Sequence, residues 1–234
     1  MLSVVVLALG LHLAGVAQDQ TASLIASLTS EDEGSRERAE ESLAQSGVDA
    51  LPALLVAYNR ALLPQQQAIK RVVNRIGSQA IEPLFVASFK RELVLGRRNE
   101  LIDDGIALAT AVGEAAVPVA KALAVAPGPG NGGPRLWGGA VLAGLGPAGV
   151  RAFGEMLENA DSEVRLSAAE ALCRIGDPEG HKRLRAFVRD PDRMVRAYAI
   201  LGAGRLNDPS MIPVLLDGIK DTGITVREGG FLGF

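Results

Sequence analysis

Catalysis needs a nucleophile, a proton carrier or a set of ligands, and this chain is sparing with all three. It has one cysteine, Cys173, and two histidines. Only His181 lies outside the apolar N-terminal run, so a Ser-His-Asp device would have to be built on it. It sits in the turn after Gly176-Asp177-Pro178-Glu179-Gly180, an ordinary helix connection. Cys173 follows Ala169 by one helical turn, which suits a small buried side chain better than an activated thiolate. One histidine and one cysteine cannot assemble a zinc site. Asp103-Asp104 or the acidic stretch Glu31, Asp32, Glu33, Glu37, Glu40, Glu41 and Asp49 could offer oxygens to a hard cation. No segment has the spacing of a calcium loop, however, and helix capping accounts for these carboxylates more simply. Gly128-Pro129-Gly130-Asn131-Gly132-Gly133 matches the dinucleotide fingerprint only in its letters. An Ala-rich helical segment, Ala120 to Ala126, precedes it where a strand is required, and Pro129 and Pro134 replace amides that would cradle phosphate. The expectation is a protein without catalytic residue, cofactor or metal.

Binding chemistry has better candidates. The Gly/Pro tract leads directly into Arg135-Leu136-Trp137, which holds the single tryptophan, and Trp and Arg are the commonest interface anchors. One reading makes Pro127 to Trp137 part of a partner surface. The other packs Trp137 inward against Gly138, Gly139 and Ala140. Lys182, Arg183, Arg185, Arg189, Arg193 and Arg196 form a basic ridge able to receive an acidic partner, in contrast to the acidic first unit. The recurring arginines Arg165 and Arg196 have a second use, bonding the turns of a neighbouring repeat. The candidate partner-binding residues are therefore Arg135, Trp137, Arg165, Lys182, Arg183, Arg185 and Arg196.

Composition narrows the partner. With 48% hydrophobic residues in 234, the chain can bury a substantial core and is not disordered. A net charge of −3 and 4% aromatics supply neither the field nor the stacking platforms of a nucleic-acid binder. Leu2 to Val16 is an apolar run that ends in Gly15-Val16-Ala17 and is followed by polar Gln18-Asp19-Gln20, the pattern of a secretory signal with cleavage near Ala17. It is shorter than the roughly 20 residues of a membrane span, and no Lys or Arg precedes it. Residues 1–17 are expected to be a removed signal, placing 18–234 in the periplasm or outside the cell without membrane insertion; an N-terminal anchor is the alternative.

The elements that position these residues repeat. Val164-Arg165, Val195-Arg196 and Val226-Arg227 recur every 31 residues, as do the pairs Asp177-Pro178 and Asp208-Pro209. Glycines ending Ala/Leu-rich segments fall at Gly47, Gly77, Gly113, Gly146 and Gly176, and Asn207 takes the next place. Eleven residues earlier stands Arg36, Arg135, Arg165 or Arg196; shortly after comes Pro52, Pro83, Pro118 or Pro213. Val164, Ala168, Leu172 and Ile175 make the apolar stripe of an amphipathic helix. Gly176 or Asn207 suits the left-handed residue that closes it, a Pro opens the next helix, and Asp190 and Asp221 are placed to cap the Val-Arg helices. Two short helices per unit cannot bury their stripes alone, so the units must stack.

The segment Asp161 to Pro178, read as D-x-x-V-R-x-x-A-A-x-A-L-x-x-I-G-D-P, resembles the short HEAT-like repeat of phycobilisome-lyase-type proteins. The resemblance covers Thr21 to Phe234 and implies an all-α fold: an alpha-alpha superhelix of about six helix pairs with a truncated seventh, its Val-Arg helices lining the concave face. Gln66 and Ile102 stand where two units should carry the Arg. Val226 to Phe234 overlays Val195 to Ala203, so the reading frame is expected to continue past Phe234. In the similar deoxyhypusine hydroxylases an iron centre requires paired His-Glu motifs, which this sequence lacks. The function expected is a non-catalytic cell-envelope scaffold that binds another protein through the concave face and the 127–137 loop. The alternative is a bilin-lyase-like enzyme or the repeat module of a larger one.

Overall fold

A computed structural model describes residues 18–89, 98–127, 133–206 and 208–220. All regular structure among them is helical. Helix packing divides the chain into two compact units, Met1–Ala116 and Val117–Phe234.

In the first unit, α1 is described over residues 18–27 and is followed by α2 (Glu33–Gln45), α3 (Leu51–Arg60), α4 (Leu63–Ile76), α5 (Ile81–Phe89) and α6 (Arg98–Thr110). First helices of successive repeats lie side by side, α2 on α4, and α3 packs on α5 and α6. Leu43, Leu54, Ile69, Val72, Ile81 and Leu84 are fully buried between them. Glu40 is buried too, and Arg71 of the next repeat grips it through Nε and Nη2 at 2.9 and 2.6 Å, with Arg75 at 3.5 Å. It is thus an internal rung and no part of an acidic surface. Asp104, placed above among possible cation ligands, accepts a 2.7 Å bond from Asn59.

The second unit contains α7 (Val117–Ala124), α8 (Gly133–Gly144), α9 (Pro147–Met156), α10 (Ser162–Ile175), α11 (Pro178–Leu184), α12 (Arg193–Gly204) and α13 (Ile212–Lys220). At 7 to 14 residues these helices are too short to persist alone, so packing decides their formation. In α10, Val164, Ala168 and Leu172 are buried as their spacing predicts, while Ile175 is half-buried. Ala169 and Cys173 are buried as well, because α10 is enclosed by α9 and α11 as well as by α12. The alanines allow that close approach.

The repeat punctuation works through backbone chemistry. Gly47, Gly77, Gly113, Gly146 and Gly176 all have positive φ, between 56° and 77°, as helix closure requires. They are not equivalent: Gly176 is left-handed helical (φ 73°, ψ 15°), whereas Gly77 and Gly146 combine positive φ with ψ of −154° and −130°. The second conformation is open only to glycine. Asn207, assigned the same place by the spacing, lies outside the described residues. Pro52, Pro83, Pro118 and Pro213 stand in the first turns of α3, α5, α7 and α13, where no intrahelical acceptor waits for their missing N–H.

Candidate binding surface

Asp32, Asp161 and Asp192 are the N-caps of α2, α10 and α12, accepting respectively from the amides of Ser35, of Glu163, and of Met194 and Val195. Two residues before each cap, Ser30, Asn159 or Asp190 accepts the cap residue's own N–H at 3.3, 2.9 and 2.8 Å. Four residues after each, an arginine turns back: Arg36 Nη1 donates to the Ser30 and Glu31 carbonyls, Arg165 to Asn159 and Ala160, and Arg196 to Asp190 and Pro191. The recurring arginine is therefore a clip that satisfies carbonyls of the connection leading into its own helix. Asp190, expected to cap the next helix, instead accepts both Nε and Nη2 of Arg165 at 3.0 Å, and Asp192 does the capping. The spacing found the repeating aspartate but misplaced its role by two residues.

This removes several candidate residues from the surface. Arg165 is half-buried against the buried Asp190, a neighbour that holds its guanidinium more firmly protonated than usual. Arg135 is 8% exposed, with Nε on the Ala126 carbonyl and Nη2 on Asp161 at 2.8 Å. That guanidinium, followed by the Glu163 amide, holds the Asp161 carboxyl below its ordinary range. Trp137 is 1% exposed and packs within α8, so the inward reading holds and it offers no anchor to a partner. Gly138 explains why it turns inward: a Cβ there would lie 2.5 Å from the Ala120 carbonyl oxygen, so α7 and α8 meet almost backbone to backbone. The 127–137 loop drops out as a partner site on the side of Arg135 and Trp137, and residues 128–132 lie outside the described residues.

The basic ridge does reach solvent. Lys182 and Arg183 on α11 lie 3.8 and 3.7 Å from Glu179, and Arg185 holds the cap of the next repeat, Asp208 Oδ2 and Ser210 Oγ, each at 3.0 Å. Arg189 and Arg193 are exposed and engage no carboxylate among the described residues. Arg189 and Arg196 also line a groove of about 350 Å³ together with Val188, Ile200, Val214 and Asp217. Sequence inspection missed this groove because its walls come from three separate elements; the half-buried Val188 between two charged stretches was its only local signal.

The remaining chemical candidates are interior. Cys173 is 3% exposed, and burial pushes its thiol up. His181 is 4% exposed; burial, then the Arg205 guanidinium, holds its imidazole below the usual value. No single helix among the described residues is long and apolar enough to cross a membrane.

The HEAT-repeat family model matches residues 150–230. No curated protein matches the chain. Among solved structures, human deoxyhypusine hydroxylase in complex with glycerol is similar at 13% identity and a TM-score of 0.42, over 94% of this chain and 96% of that one. Two engineered proteins match at 19% and 18% identity with TM-scores of 0.37, over 92% and 91% of this chain and 94% and 67% of theirs. The capped, glycine-closed helix pairs make the chain an all-α helical-repeat protein, and the family match makes its residues 150–230 HEAT repeats.

Proposed function

We propose that the chain is a non-catalytic scaffold of the cell envelope that holds another protein through the basic face carried by Lys182, Arg183, Arg185, Arg189 and Arg193. The observation that carries this reading is the state of Arg189 and Arg193, exposed and without a carboxylate among the described residues, Arg189 lining a groove that Val188, Ile200 and Val214 share. The other long basic side chains named above serve the fold. Free guanidinium groups beside a groove of mixed charged and aliphatic lining favour an acidic partner segment that brings aliphatic side chains with it. The buried states of His181 and Cys173 support a binding rather than a catalytic role. The apolar run up to Ala17 supports export with the leader removed.

The test is affinity capture from envelope extract with the wild-type chain and with an R189E/R193E variant whose fold is checked by circular dichroism. We expect the same captured protein to elute at raised salt and to be lost from the variant. Equal capture by both, or retention that ignores salt, would overturn the basic face as the binding surface. Substitutions at Trp137 or Arg135 are unsuitable for this purpose, since both side chains are part of the core.

A further inference from the structure

The short helix α11 has two chemically opposed faces. Outward it carries Glu179 and Lys182, while the half-buried Arg183 lies along α9 over Gly154. Inward, Gly180, His181 and Leu184 seat it on its neighbours. Gly180 lets the Leu172 side chain of α10 and Val150 of α9 come close, and Gly202 of α12 leaves the space filled by Leu184 and by the His181 ring edge. The imidazole thus fills the joint between three helices. Its Nε2 is buried and has no hydrogen-bond partner, a state tolerable for the neutral ring and costly for a charged one.

The groups around it sharpen the point. From α10 come the Cys173 thiol and carbonyl, with the Glu170–Arg174 pair one turn away. From α12 comes Arg205, whose Nη1 donates to the Cys173 carbonyl at 2.6 Å, and Tyr198 lies beside Cys173. From α9, Arg151 and Glu155 act at the far side, where Arg183 lies over Gly154. On α11 itself Asp177 spends its carboxylate on the Glu179 and Gly180 amides, and Glu179 faces Lys182 and Arg183. The Cys173 backbone and, more weakly, the Asp177 carboxylate favour an imidazolium, but burial and the Arg205 guanidinium outweigh them.

We propose that His181 is a proton-operated latch: the neutral ring seats α11 on α10 and α12, and its protonation in mildly acidic medium releases α11 together with the Lys182 side chain on its outer face and Arg183 along α9. The latch stands on the packing alone; its use as a control on partner binding rests on the function proposed above.

The sign follows from linkage. A histidine whose folded value is depressed costs nothing while both states are neutral. As pH falls through the unfolded value of about 6.5, the unfolded chain binds a proton that the packed joint refuses, and stability declines until the folded value is reached. The experiment is an NMR titration of the two histidine Cε1–H signals of the full chain, with His181 identified by its loss in H181Q, together with amide exchange of residues 178–188 corrected for intrinsic pH effects. We expect His181 to titrate below about 6.5 and protection of α11 to fall by about tenfold or more between pH 7.5 and 5, with no such fall in H181Q. Titration at or above that value in the wild-type chain overturns the proposal, whether or not H181Q folds. A parallel loss of protection in a folded H181Q overturns it as well. The R189E/R193E variant, which alters the partner face and not the joint, should retain the acid response, so failure of the binding reading is distinguishable from failure of the latch.

Discussion

A single repeated residue type serves different ends here according to the atoms around it. Gly77 and Gly176 occupy the same place in the spacing, but only the second is in the left-handed helical region that asparagine tolerates. Gly77→Ala should therefore cost about 1–3 kcal/mol, whereas Gly176→Asn should cost less than about 1 kcal/mol, both read from urea unfolding by circular dichroism. Equal costs would mean that helix closure, not the particular ψ, sets the requirement. Arg165 shows the same dependence on surroundings. Its partner Asp190 has a side chain only 5% exposed, so Arg165→Ala leaves a buried carboxylate without its counter-charge and should destabilise by about 3–5 kcal/mol. Asp190→Asn should be milder, and the two effects should fall well short of additivity in the double variant.

Helix-to-helix spacing in the second unit is set by which glycines face a neighbour. In α8, Gly138 meets the Ala120 carbonyl and the Ala124 amide of α7, while its neighbour Gly139 faces nothing within 4 Å. Gly138→Ala must push the helices apart and should cost about 1–3 kcal/mol or more. Gly139→Ala should stabilise by roughly 0.5–1 kcal/mol through helix propensity alone. Thermal unfolding of the pair decides the matter: a loss at both positions would mean that α8 cannot accept a side chain on either face. In the sequence the two residues are indistinguishable, one glycine after another behind a tryptophan. Only the crossing of α7 and α8 separates them.

Across the molecule, capping charge and the single tryptophan give two further expectations. Asp32, Asp161 and Asp208 are all held below the ordinary carboxylate range, chiefly by the Ser35 hydroxyl, the Arg135 guanidinium and the Ser210 hydroxyl respectively. A carboxyl depressed on folding adds stability above its unfolded value and loses it as pH falls through the folded one, so the melting temperature should drop as pH falls below about 4. In D32N/D161N/D208N, where asparagine still caps without titrating, that drop should be shallower. Trp137 reports on the second unit alone, because the chain has no other tryptophan. Glu40→Gln, made inside the first unit, should therefore shift the far-UV circular dichroism transition in urea and leave the fluorescence midpoint in place. Coincident shifts by both probes would show that all the repeats unfold as one.

Much of this architecture was legible in the sequence because it is written in local chemistry. A positive φ demands glycine, a first-turn proline is harmless, a cap wants aspartate, and a stripe at helical spacing has one buried side; each rule acts within a few residues, so a 31-residue period displays it again and again. The recurring arginine was legible too, as a repeat, and its local clip onto carbonyls five and six residues back follows from the same short range. What tertiary structure alone decided was the fate of side chains long enough to choose between solvent and a neighbouring repeat. Arg135 and Trp137 look in the sequence like interface anchors and are core. Asp190 looks like a cap and is the buried acceptor of Arg165. Arg189 and Arg193 look like their neighbours and are exposed without a carboxylate partner among the described residues. The physical reason is that burial and ion pairing depend on which residues 25 or more positions away arrive at the same point, and that distance is set by how the helices pack.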